Sequence, residues 1–90
     1  MYINVATRWK TYSDVPPEGI RVGNPATGLH VLGVVPHANG IFAAVPTRPE
    51  VEGQAEPIEV VAGRPYYLSF TRIDPATTAK PFTVLWGPHR

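Results

Sequence analysis

The sequence predicts an all-β fold: a small antiparallel β-sandwich of jelly-roll or immunoglobulin-like type, built from about seven short strands. Three observations predict it. Eleven prolines are spread from Pro16 to Pro88, and each removes a backbone donor and disfavours helix in the residue before it. No proline-free window carries apolar residues at i, i+3, i+4 and i+7 over three turns. The apolar runs are short, rich in valine, isoleucine and aromatics, and end at glycine or proline. At 90 residues, 43% hydrophobic and 17% charged, the chain is one folded domain spanning 1–90 rather than a disordered segment.

The elements follow in order. Residues 2–6, YINVA, have strand propensity. Residues 7–18 contain SDVPPEG, turn chemistry throughout, and read as irregular, so that 1–17 forms an extended N-terminal segment able to act as an arm. A short strand follows at 19–23. Residues 29–35, LHVLGVV, and 41–45, IFAAV, flank PHANG, where Asn39-Gly40 predicts a hairpin with positive-φ positions. Residues 46–56 form the longest loop. Residues 57–61, PIEVV, precede the turn AGR. The strands 65–72, PYYLSFTR, and 81–86, PFTVLW, flank IDPATTA.

The period of two assigns faces. Leu29, Val31 and Val35 share one face of their strand, with Leu32 and Val34 on the other. Phe82, Val84 and Trp86 oppose Leu85. Tyr66, Leu68 and Phe70 read as core, and Tyr67 as exposed beside Ser69 and Thr71. Several strands are thus apolar on both faces, and a chain this short has little with which to cover a second face. A partner, or a further copy of the chain, is the expected cover.

The chemistry-bearing residues point away from catalysis. His30, His37 and His89 have no metal-ligand spacing with one another or with a carboxylate. Ser13 and Ser69 lack a nucleophile elbow. There is no cysteine, which excludes disulfides and thiolate chemistry. The glycines of GIRVGNPATG precede no helix, so no phosphate loop is expected. The expectation is a non-enzymatic protein with no catalytic residues, no metal and no cofactor. A formal net charge of +1 argues against nucleic acid as partner. MYINVATRWK lacks the basic-then-apolar pattern of a signal peptide, and runs such as VLGVV are too short to span a bilayer.

Protein partners, through self-association or a larger lattice, are therefore expected. The candidate interface residues are Tyr2, Ile3, Arg8, Trp9, Lys10 and Tyr12 in the N-terminal segment, Glu50 and Glu52 in the long loop, and Tyr67 and Leu85. Trp9 between Arg8 and Lys10 has the composition of an interface anchor or of a lid on its own core. The basic pair Arg8 and Lys10 and the acidic group Glu50, Glu52, Glu56 and Glu59 read either as solvated surfaces or as complementary halves of a head-to-tail contact.

Within residues 58–86, Val61, Ala62, Gly63, Tyr66, Leu68, Ser69 and Phe70 resemble part of the jelly-roll carbohydrate-binding modules, which implies a sandwich fold and, as an alternative function, glycan binding. In overall character the chain is also similar to small capsid decoration and accessory proteins of phage particles. That resemblance implies a structural role in a virion, with virion or cytoplasm as the expected location.

Overall fold

A computed structural model describes residues 6–22 and 29–88. Its seven strands are β1 (Arg8–Tyr12), β2 (Ile20–Arg21), β3 (Leu29–Pro36), β4 (Gly40–Pro46), β5 (Glu56–Val60), β6 (Phe70–Ile73) and β7 (Phe82–Pro88). They form two sheets, ordered β1-β7-β3 and β2-β6-β4-β5, with every pairing antiparallel. Among the described residues there is no helix. The two sheets close on one core. Val31, Val34, Phe82, Val84 and Trp86 come from the first sheet, and Phe42, Ala44, Val60, Phe70 and Ile73 from the second. Phe42 sits at its centre, edge-on to both Phe70 and Phe82 at 5.3 and 5.6 Å, a favoured aromatic geometry. Trp86 satisfies its indole N–H by donating to the Val22 carbonyl at 2.9 Å.

The predicted strand over 2–6 lies almost wholly outside the described residues, which also leaves Tyr2 and Ile3 outside them. Residues 8–12, read as irregular, are β1, paired over five residues with β7. The turn chemistry of SDVPPEG begins only after them, and the alternation of Arg8, Lys10 and Tyr12 with Trp9 and Thr11 is ordinary strand patterning.

The hairpin predicted at Asn39-Gly40 does not form. β3 pairs with β7, and β4 with β5 and β6. A two-residue type I′ turn needs positive φ at both central positions. Among the described residues no non-glycine has positive φ, and Gly40 sits at φ 153°. The chain instead arches from one sheet to the other, held by Asn39 Oδ1 accepting from the Ala62 N–H at 2.8 Å. The turn residues dictate a reversal but not the layer in which the next strand lies.

PYYLSFTR is likewise not one strand. Tyr66 makes a single antiparallel bridge with Val34 at the free side of β3, and β6 begins at Phe70 in the other sheet. Residues 67–69 cross between the layers. Phe70 is buried and Tyr66 packs against the core, but Leu68 is 36% exposed, so the predicted three-residue core face holds for two of its members.

A bulge between Val31 and Gly33 also switches the predicted faces of β3 for the residues that follow it. Val31 and Val34 both point into the core, while Leu32 and Val35 are half-buried. Gly33 permits this arrangement: a Cβ there would lie 2.5 Å from the Tyr66 carbonyl oxygen. The predicted faces of β7 hold, with Phe82, Val84 and Trp86 buried and Leu85 half-buried on the outer side.

Candidate functional site

The outward face of the β1-β7-β3 sheet is where the candidate residues converge. Cross-strand partners share a face, so the register assigns it. Trp9 opposes Leu85 and Thr11 opposes Thr83; Leu85 in turn opposes Gly33, and Thr83 opposes Val35. The segment after Pro65 extends the row, because the Tyr67 Cα lies 3.3 Å from the position of a Gly33 Cβ. Trp9, Leu85 and Tyr67 therefore fall on one line across the sheet. At about 4.8 Å per strand, the two aromatics stand roughly 14 Å apart. Trp9 is 66% and Tyr67 79% exposed.

Beside this apolar line runs a polar one. Thr11 Oγ1 and Thr83 Oγ1 share a hydrogen bond at 2.8 Å, and His37 Nε2 meets Thr83 Oγ1 at 2.8 Å. β3 adds His30, Leu32 and Val35. None of the residues that the alternation places outward on these strands is Asp, Glu, Lys or Arg. Strands that place no charge outward on a face exposing Trp and Tyr have the composition of an interface core, where charge is depleted and aromatics are enriched. Arg48 adjoins this face at its Tyr67 end, lining a depression with His30 and Leu32.

The other candidates divide between the two ends of the molecule. Arg8, Lys10 and Tyr12 lie on β1 but on the opposite face from Trp9, facing Trp86, Val84 and Phe82 across the pair. At this edge strand the charges reach out past the core. The Arg8 guanidinium sits 5.6 Å from the Trp86 ring centroid, and the Lys10 ammonium 5.1 Å from that of Tyr12. Tyr12 stacks on Phe82 at 5.7 Å. Burial raises its phenol above the ordinary range, an effect that the Arg8 charge partly offsets. Glu50 and Glu52 are exposed in the loop before β5, a strand of the other sheet.

A second feature carries no sequence signal. Where residues 67–69 cross between the layers, the sandwich stays open. Phe42, Ala44, Pro46, Ile58, Leu68 and Phe70 line an apolar cleft of about 230 Å³, with Glu56 and Ser69 as its polar members. Ile58 and Leu68 are each 36% exposed. Ser69 is tied to Thr47 by a 2.6 Å hydroxyl pair and by the Thr47 N–H donating to the Ser69 carbonyl. The cleft exists because strands distant in sequence meet here, which no local pattern reports.

Among the described residues no cluster of three or more His, Cys, Asp or Glu is placed to hold a metal, and no helix is long and apolar enough to cross a membrane. Comparison with protein-family models, with curated proteins and with solved structures found no match.

Proposed function

We propose that this chain is a non-enzymatic structural protein that binds and stabilises a larger protein assembly, most concretely as an accessory or decoration component of a virus particle. The observation that carries the reading is the outward face of the β1-β7-β3 sheet, on which the three strands place no charge and Trp9, Leu85 and Tyr67 fall in one line. Burying two exposed aromatics and a leucine on a flat sheet supplies the hot-spot core of an interface. The virion assignment rests on the chain's likeness in character to small phage accessory proteins. The test places a charge at the centre of the face. Leu85→Lys should abolish association, read by sedimentation velocity from micromolar to millimolar concentration, while circular dichroism and urea midpoint stay close to wild type. Association unchanged by Leu85→Lys overturns the reading.

One observation favours a second reading, glycan binding. The line that holds the two aromatics runs beside a row of hydroxyl and imidazole groups from Thr11, Thr83 and His37, a surface on which sugar rings could stack while their hydroxyls are hydrogen-bonded. A glycan array, followed by quenching of Trp9 fluorescence on titration with any hit, decides between the two.

A further inference from the structure

We infer that the chain associates head to tail: Trp9 of one copy inserts into the apolar cleft between β5 and residues 68–70 of the next. The inference rests on the reading of Trp9 as an interface anchor and names what receives it. The two halves are complementary in three respects. In shape, Trp9 protrudes from an edge strand, 66% exposed, and the cleft of about 230 Å³ is an opening into the core; a dry cavity of about 150 Å³ already holds a benzene ring. In chemistry, the indole would meet the exposed apolar side chains of Ile58 and Leu68, a desolvating contact of the kind interface anchors make. In charge, Arg8 and Lys10 lie at the same edge as Trp9 but on the other face of β1, and Glu56 lines the cleft with Glu50 beside it, so the opposite charges act at long range rather than in contact.

Position makes the contact intermolecular. β1 is one edge of its sheet. The cleft opens at the other side, beyond β3, where Tyr66 bridges Val34 and the chain crosses to β6. A molecule cannot fill its own cleft with its own Trp9. A contact that joins unlike patches is heterologous and propagates, into a ring if the rotation closes and into a filament if it does not. Either is a useful property in a component of a repeating assembly. The cations at the β1 edge and the glutamates near the cleft would steer the encounter at long range and make its rate sensitive to salt.

The test uses two variants that each disable one half. Trp9→Ala keeps the cleft, and Ile58→Lys keeps Trp9 while placing a charge at the mouth; Leu68→Lys serves as a second cleft variant if Ile58→Lys unfolds. Sedimentation velocity should show wild type growing beyond a dimer with concentration. Each variant alone should associate roughly 30-fold more weakly or worse, the loss of a hot spot. The mixture of Trp9→Ala with Ile58→Lys should form a one-to-one dimer and nothing larger, because one good anchor meets one good cleft. A wild type that stops at a dimer, or a mixture that stays monomeric, overturns the head-to-tail arrangement. If Leu85→Lys still abolishes association in that case, the sheet face remains the docking surface and only its occupant has been misassigned.

Discussion

Thr77 offers the sharpest test of how this fold is held together. It lies in the loop after β6, is 1% exposed, and uses one hydroxyl twice. The Ala43 N–H donates to Thr77 Oγ1 at 3.0 Å, and Thr77 Oγ1 donates to the Ala43 carbonyl at 3.1 Å. β6 ends at Ile73, so from there on the loop takes over as the neighbour of β4. Asp74 N–H donates to that same Ala43 carbonyl, and Thr78 N–H to Ile41. Thr77→Val preserves shape but leaves the Ala43 N–H without a partner in a site that excludes water, at a cost of about 1–3 kcal/mol. The Ala43 carbonyl keeps Asp74. Thr77→Ser keeps both bonds and removes one buried methyl, about 0.8 kcal/mol of transfer free energy. Valine should therefore cost more than serine although it is the closer match in volume. A loss of 2 kcal/mol in a domain of this size lowers Tm by roughly 8–16 °C. Urea denaturation followed by fluorescence at a common slope gives both values. If Thr77→Val is as stable as Thr77→Ser, the hydroxyl is not what anchors the loop to β4.

Three further outcomes are expected. Phe70→Ala should cost about 3–5 kcal/mol, because it removes a buried ring packed on Phe42, whereas Tyr67→Ala should stay within about 0.5 kcal/mol as an exposed surface change; urea midpoints of the two compare them, and equal losses would place Tyr67 in the core. Gly33→Ala should cost about 1–3 kcal/mol and disrupt the Val34–Tyr66 bridge, since its methyl meets backbone rather than a side chain that can move; faster amide exchange at Tyr66 reads this directly. The Lys80 ammonium, 2.7 Å from Asp14 Oδ1, and after it the Val15 N–H, hold the Asp14 carboxyl below its ordinary value of 3.8; a lowered folded-state pKa contributes stability above the unfolded value that is lost as pH falls through the folded one, so the gap between wild type and Asp14→Asn should be present at pH 7 and close in acid, and a gap constant with pH would contradict the pairing.

The fold class was legible because its causes are local. Proline spacing excludes helix wherever it falls, and period-two apolar runs report strands whichever sheet they join. What the sequence concealed is non-local. Asn39-Gly40 reads as a hairpin turn, but a reversal and an arch between layers use the same residues. The faces of LHVLGVV are misread because a bulge at Leu32-Gly33 adds a residue to the count; the glycine was the available cue. YYLSF alternates like a core strand and instead spans two sheets, since β3 needs only one bridge at its free side while β6 starts at Phe70. Trp9, Tyr67 and Leu85 were recognisable singly as surface aromatics and an outward leucine. Their alignment depends on the pairing of β1 with β7 and of β7 with β3. The cleft was not recognisable at all, because it is a space left between segments.

The state of the sheet edges decides which kind of association this sandwich can support. A free strand edge invites another strand to add through main-chain hydrogen bonds, the mode that an extended N-terminal segment would use. Among the described residues each edge strand is at least partly blunted against it. β2 has only two residues. β3 is capped by Tyr66. On β5, Ala43 turns its N–H and carbonyl away toward Thr77 and Asp74, so its cross-strand partner Pro57 turns its own backbone to the open side, where it has no N–H to offer; Glu59, the partner of Ile41, turns a full N–H and carbonyl outward, beside an exposed carboxylate. On β1, Arg8 and Lys10 occupy the core-facing side, and an added strand would bury those charges. Association through main chain is disfavoured at most places it could begin, which favours side-chain recognition, through the outward face of the β1-β7-β3 sheet and the cleft. The two modes separate experimentally. Strand addition depends little on which side chain occupies position 9, whereas recognition through Trp9 loses most of its affinity when the indole is removed. Trp9→Ala with association intact would mean that an edge is open after all.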